Sequence, residues 1–192
     1  LADYIRLPDY IERKKDAGQI PMAGYADLMR FALLEHYGGT WIDSTVYLTE
    51  PIPDMILNSD FFAVRNSLLL IDNPVLYPAW FLHAKKENKT IREIRNVAFA
   101  YWLKNEHVIE YLLPNLIITL VVKSYPEVEK EIPYMNSDYS EYLVKVLADD
   151  YSEEKWNWLK KLTGIHKLTY KLSPDIEADD TFYKALIENR IE

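Results

Sequence analysis

Two adjacent glycines, Gly38 and Gly39, set the tightest constraint on how this chain can fold. They end its most regular stretch. Tyr25, Leu28, Met29, Ala32 and Leu33 recur at the helical period, which predicts a helix over Tyr25 to Tyr37. A glycine just past the last helical residue is a common stop, because it tolerates a left-handed backbone. Trp41 to Leu48 then alternates as a strand does. Ile42, Val46 and Leu48 share one face; Trp41, Asp43, Thr45 and Tyr47 share the other. Pro51 and Pro53 close it. The 192 residues hold only five glycines, where average usage of about 7% would give roughly 13. Three of the five, Gly24, Gly38 and Gly39, bracket this one helix, which concentrates backbone freedom where the chain would approach a ligand.

The rest of the chain is mainly helical in texture. Pro8-Asp9 to Lys15 reads as a short polar helix, with Gly18 past its end. Ile20-Pro21 is an extended link. Asp60 to Arg65 and Leu68 to Ile71 are short strand candidates. Pro74 to Pro78 reads as a loop entering a helix over about Ala79 to Lys86. Thr90 to Leu113 carries a long helical periodicity that only Pro114 interrupts. Pro114 to Val122 fits strand or helix, with helix preferred. Pro133 to Tyr139 is a loop, and Ser140 to Leu147 and Ser152 to Leu162 are helices. Ile165 to Leu172 alternates like a strand, and Asp179 to Glu192 is a last helix. No repeat, low-complexity tract or Gly/Ser linker appears, so residues 1–192 are expected to form a single α/β domain with a helix-rich C-terminal half.

Charge and composition exclude several function classes. The net charge of −8 disfavours a nucleic-acid binder and polybasic docking on an anionic membrane. The absence of cysteine excludes a disulfide scaffold, cysteine–zinc sites and thiol catalysis. The longest strongly apolar uncharged run, Tyr111 to Val122, is 12 residues and contains Pro114. A membrane span needs roughly 18 or more, so no transmembrane span is expected.

Candidate chemistry gathers around the glycines. Asp27 and Arg30 are three apart and share a helix face. One reading is a surface ion pair worth about 0–1 kcal/mol. The other starts from a helix that is apolar on most sides, so that two charges near its start border a cleft. There Asp accepts hydrogen bonds from sugar hydroxyls and Arg donates a fork of them. Asp43 and Thr45 follow at the i, i+2 spacing of one strand face, and a carboxylate at a strand end is a hard oxygen ligand for magnesium or manganese. The plainer reading places Asp43 in a turn beside a core strand. Trp41, on the Asp43 face, can line a sugar or base pocket. Trp80, Trp102, Trp156 and Trp158 sit in apolar helical settings and read as core. The paired acids Asp149-Asp150 and Asp179-Asp180 read as caps more readily than as catalytic bases.

The run Tyr25-Ala26-Asp27-Leu28-Met29-Arg30, then Leu33-Leu34, then Tyr37-Gly38-Gly39-Thr40-Trp41-Ile42-Asp43-Ser44-Thr45-Val46 resembles the sugar-binding block of DXD-containing glycosyltransferases, which include glycosyltransferase family 32. The nearest likeness is to the bacterial capsular polysaccharide synthesis protein family. Upstream, Tyr4-Ile5, Leu7-Pro8, Tyr10-Ile11 and Gly18 fit the same pattern, as does Ile165-His166-Lys167-Leu168-Thr169-Tyr170-Lys171 near the end. The likeness is close over residues 3–53 and moderate over 165–171.

The resemblance implies a GT-A fold, a Rossmann-like mixed sheet that binds a nucleotide-activated sugar, with its first strand lying upstream of Leu1. It implies that Asp27 and Arg30 hold hydroxyls of the donor sugar and that Gly38-Gly39 turn the chain under the nucleotide. Asp43 would be the first acid of the DXD motif, facing ribose and metal, and Asp27, Arg30 and Asp43 would form the catalytic group. The third DXD position is Thr45, a neutral and weaker ligand for a hard cation. Any Mn²⁺ or Mg²⁺ is then left to Asp43, the diphosphate and another residue. By the same likeness His166 is the late metal ligand, and Lys167 or Lys171 contacts the diphosphate. The implied partners are a nucleotide-sugar donor and a glycan or lipid-linked glycan acceptor. Such an acceptor would place the chain in the cytoplasm, peripheral at the inner membrane face. The alternative is a catalytically inactive sugar-binding or scaffold domain of a polysaccharide-synthesis complex.

Overall fold

Proline starts and glycine stops shape the N-terminal helices. The computed structural model describes residues 4–67, 74–172, 176 and 180–190. In chain order its elements are α1 (Asp9–Asp16), α2 (Met22–Tyr37), β1 (Gly39–Ile42), β2 (Val46–Leu48), α3 (Asp54–Leu57), β3 (Phe61–Ala63), β4 (Phe81–Ala84), α4 (Lys89–Lys104), α5 (Leu113–Ser124), α6 (Pro126–Glu131), α7 (Ser137–Ser140), α8 (Tyr142–Lys145), α9 (Glu153–Leu162), β5 (Ile165–Lys167) and α10 (Phe182–Ile187). Pro8 and Pro21 stand just ahead of α1 and α2, where a fixed φ and a missing N–H cost least. The helix expected from Tyr25 therefore begins at Met22, and Gly24 lies inside its first turn rather than at its border.

The chain divides into two compact units, one of Leu1–Ile42 with Pro53–Met135 and one of Asp43–Ile52 with Asn136–Glu192. The larger unit holds an antiparallel sheet in the order β1–β4–β3, with Thr40 and Phe62 both opposite His83. Helix α2 packs against α4 and the sheet, and α4 packs in turn on α1 and α5. Leu28, Met29 and Phe31 of α2 meet Leu82 of β4, Ile91 and Ile94 of α4 and Val122 of α5 in one core. Five consecutive residues of α2, Leu28 to Ala32, are buried, as expected of a helix enclosed on most sides.

The helix expected over Ala79 to Lys86 is not formed. Phe81–Ala84 is instead the central strand of the sheet, buried at every position. A strand covered on both faces is apolar throughout, and periodicity alone does not separate it from a buried helical turn. The segment entering it is tied to α5: Asn115 accepts from the Ala79 N–H at 3.0 Å, and Thr119 accepts from Leu76 and Tyr77 at 3.0 and 3.2 Å. Helix α4 stops at Lys104, short of the expected Leu113. The Tyr101 hydroxyl there donates to the His107 carbonyl at 2.6 Å and accepts from Ile109 N–H at 3.0 Å, closing a turn before α5. The expected strand at Leu68 to Ile71 lies outside the described residues.

The smaller unit holds the antiparallel ribbon β2–β5, with Val46 opposite Lys167 and Tyr47 opposite His166. Its core gathers Leu143, Leu147, Trp156, Leu159 and Phe182. Ser152 caps α9 by accepting from Lys155 N–H. The helix expected over Ser140 to Leu147 is split into α7 and α8, the strand from Ile165 ends at Lys167, and α10 is shorter than Asp179 to Glu192. Trp158 is 44% exposed, against the core position expected for it, and meets Tyr142 edge to face at 5.0 Å.

The largest difference from expectation concerns Trp41 to Leu48. These residues form two strands in two different sheets, because the chain turns at Asp43-Ser44-Thr45 with Val46 N–H donating to the Asp43 carbonyl at 3.0 Å. The fold is mixed α/β, with helices predominating over small sheets. The mixed sheet expected from the resemblance is not what the described residues form: their strand pairings are antiparallel. Alternation marks a strand but carries no record of its partner's direction.

Candidate functional site

The expected site residues fall into two clusters, one in each unit. In the larger unit, the Asp27 carboxylate meets the Arg30 guanidinium at 3.0 Å, across one turn of α2. Arg30 is only 6% exposed. Its guanidinium carbon lies 4.8 Å from the centre of the Trp41 ring, so the cation is covered by an aromatic face. This excludes the loosely solvated surface pair. A buried ion pair costs desolvation that its mutual attraction seldom outweighs, so it is poor evidence of a stabilising role. It presents instead a fixed carboxylate and a fixed fork of donors beside an aromatic ring, a set suited to hydroxyl-rich ligands.

Gly38 and Gly39 separate in role. Both have positive φ, +71° and +100°. A Cβ on Gly38 would lie 2.5 Å from the Lys86 backbone nitrogen, so its lack of a side chain serves the close approach of the chain beside β4. A Cβ on Gly39 would meet nothing within 4 Å. Of the pair, Gly39 is the one beside open space.

In the smaller unit the Asp43–Thr45 turn is clamped to β5, with Leu168 N–H donating to the Thr45 carbonyl at 2.8 Å. The Val46–Lys167 register then brings the Lys167 ammonium onto the Thr45 hydroxyl, to which it donates, and 3.8 Å from the Asp43 carboxylate. Asp43 and Thr45 therefore meet one cation although they do not share a strand. Lys171, the other expected phosphate contact, sits beside the exposed Tyr170 ring, its ammonium 5.9 Å from the centre.

His166 follows the opposite face of the ribbon from its neighbour Lys167, since successive strand residues alternate. It is fully buried, between the rings of Tyr47 and Trp156, and Thr49 Oγ1 is 3.4 Å from its Nε2. Burial pushes its imidazolium down to a pKa of about 4, so it is neutral at physiological pH. Whether a divalent cation suits this region can be judged from the donors. Asp43 supplies one carboxylate, Thr45 supplies a hydroxyl already accepting from an ammonium, and His166 is turned to the other side. Among the described residues, no three histidines or carboxylates come together as a metal would need. Among the described residues, this donor set is a poor fit to a metal centre.

Sequence inspection missed other polar groups because their partners are distant in the chain. In the larger unit, Tyr77 donates to Glu129 at 3.0 Å, and Arg65 and Lys123 also pair with Glu129. Burial opposes ionisation of Glu129, but the hydrogen bonds from Lys123 and Tyr77 outweigh it and hold the carboxyl below its usual range. His83 on β4 meets Thr40 at 2.8 Å, and burial, with the Lys85 charge, lowers its pKa. A cleft of about 510 Å³ opens beside Asp60, Lys85, Lys86, Lys89 and Glu131, none of them an expected site residue.

Residues 1–186 match the family of capsular polysaccharide synthesis proteins, nearly the whole chain and both units. The chain belongs to that family. No curated protein matches it. Membership of the capsular polysaccharide synthesis family gives both clusters a common context, the assembly of a surface glycan. No helix among the described residues is long and apolar enough to cross a membrane.

Proposed function

We propose that this member of the capsular polysaccharide synthesis family is a glycosyltransferase of GT-A type, which transfers a sugar from a nucleotide-sugar donor to a growing glycan. The observation that carries this is the Asp27–Arg30 pair, whose buried guanidinium is covered by Trp41, two residues past the turn-forming glycines. Asp27 and Arg30 hold donor-sugar hydroxyls, Trp41 gives the sugar a ring to stack on, and Gly39 lets backbone approach the nucleotide. By the DXD likeness, Asp43, Thr45 and Lys167 are the nucleotide-binding groups of the smaller unit. The DXD likeness supports this assignment. The acceptor is a glycan, free or lipid-linked, which puts the reaction in the cytoplasm at the inner membrane face.

The test is a thermal-shift and calorimetric screen with UDP, GDP and their hexose conjugates, followed by release of nucleoside diphosphate from the donor that binds. One donor should raise the melting temperature, and Arg30→Lys, which loses the planar fork, should weaken it about tenfold. No response to any nucleotide would sink the transferase reading. Thr45 in the acidic position favours a second reading, a domain that binds the donor without turning it over. Binding without release of diphosphate in the presence of acceptor glycan would select it.

A further inference from the structure

Resting on the donor reading above, we propose that Lys167 supplies from within the chain the positive charge that a divalent cation supplies in DXD sites, so that this protein binds a nucleoside diphosphate without metal. Three observations converge on it. The second acidic position of the motif is a threonine. The cation at that threonine is the Lys167 ammonium, which donates to Thr45 Oγ1 and stands 3.8 Å from Asp43 Oδ2. Among the described residues the protein donors left for a hard divalent ion are the Asp43 carboxylate and a hydroxyl already engaged by the ammonium, few for an ion that wants several oxygen ligands.

Charge counting gives the same answer. Two carboxylates with a divalent cation sum to zero. One carboxylate with one ammonium also sums to zero, so the loss of an acid at position 45 is matched by the gain of a cation that is not exchangeable. A divalent ion seated on Asp43 would face the ammonium at close range, and like charges so placed disfavour its binding. The placement is built by backbone and is not an accident of a long side chain. The Val46–Lys167 register, the Leu168 N–H bond to the Thr45 carbonyl and the Val46 N–H bond to the Asp43 carbonyl fix both ends of the contact. Side-chain exposures of 22% for Lys167 and 29% for Asp43 leave the pair reachable by an anionic ligand while partly shielding its field from water. In a chain of net charge −8, a fixed local cation is also what an anionic diphosphate requires.

The experiment is calorimetry of UDP and GDP on the full chain, first in excess EDTA and then in millimolar manganese or magnesium. Affinity in EDTA should match that with metal to within about twofold. Lys167→Met should weaken binding in EDTA by about tenfold or more, while Lys167→Arg keeps most of it. The double change Thr45→Asp with Lys167→Met should create binding that appears only with manganese. Wild-type binding that needs metal overturns the proposal and leaves the donor reading standing, and that arm requires no variant to fold. Unchanged binding by a folded Lys167→Met overturns it as well. No binding of either nucleotide, with or without metal, overturns the donor reading and this proposal together.

Discussion

The Asp27–Arg30 and Asp43–Lys167 pairs differ in how far water reaches them. Asp27 and Arg30 are three residues apart, with Arg30 buried under Trp41 and Asp27 partly exposed beside it. Asp43, Thr45 and Lys167 are assembled across 122 positions of sequence and stay partly open. The first is a local product of helix geometry, made rigid by the core around it. The second is a product of strand register, held in place by backbone bonds and left accessible. Rigidity suits the reading of a neutral, hydroxyl-bearing sugar, where a fixed fork discriminates. Accessibility suits an anion, which is drawn by charge and brings its own hydration.

That contrast can be broken experimentally, and the largest effect should come from the buried pair. Asp27→Ala takes the carboxylate away from the buried Arg30 guanidinium and should lower unfolding free energy by about 3–5 kcal/mol, read by urea denaturation. A loss below about 1 kcal/mol would show the pair to be solvated after all. Gly38→Ala combines a positive φ with a Cβ 2.5 Å from the Lys86 nitrogen and should cost about 2–4 kcal/mol. Gly39→Ala should cost at least about 1 kcal/mol less than that, because its Cβ meets no atom, and equal losses would make the close approach at Gly38 irrelevant.

Adjacent residues of β5 sharpen the comparison further. His166 is buried and neutral, with a pKa of about 4 against an ordinary 6.5. The unfolded chain therefore binds the extra proton first as pH falls. Stability contributed by the neutral imidazole is complete above about pH 6.5 and drains away towards pH 4. Moving from pH 7 to pH 5 should cost about 2 kcal/mol through this residue, and His83, lowered in the same direction, adds to the loss. His166→Phe should flatten that slope in melting curves taken at both pH values. Gly24 lies inside α2, and a Cβ there would meet Ile20 and Pro21 only at ordinary contact distance. Gly24→Ala should therefore gain about 0.5–1 kcal/mol, read by the same denaturation. The smallest effect on folding belongs to Lys167→Met. Its half-open pair should move stability by under about 1 kcal/mol while removing diphosphate binding. A large stability loss there would erase the distinction between the two clusters.

Much of the N-terminal half was legible because its signals are local. Helix α2, its stop at Gly38 and the Asp27–Arg30 face follow from residues within one or two turns of each other. The expectations failed where the deciding partner is remote. Ala79 to Lys86 carries helix-forming residues, yet β1 and β3 on either side draw Phe81–Ala84 into the sheet. Asp43 and Thr45 were expected on one strand face. They share a turn instead, and Lys167 is what unites them. His166 and Lys167 look equivalent as neighbouring cations in sequence, but strand alternation sends one into the core beside Trp156 and the other to the Asp43 turn.

The sequence by itself determined the helix-rich α/β character, the block shared with the capsular polysaccharide synthesis family, and the positions at which chemistry is possible. Periodicity, glycine stops and residue spacing act over a few residues and are written directly into the chain. Only the tertiary structure decided that Arg30 is buried under Trp41, that Gly38 makes room for the backbone beside β4 while Gly39 faces open space, and that the Lys167 ammonium stands beside Asp43 and Thr45. Those outcomes depend on register and packing between segments far apart in sequence, where one residue of slip would exchange the inward and outward faces and so exchange the roles of His166 and Lys167.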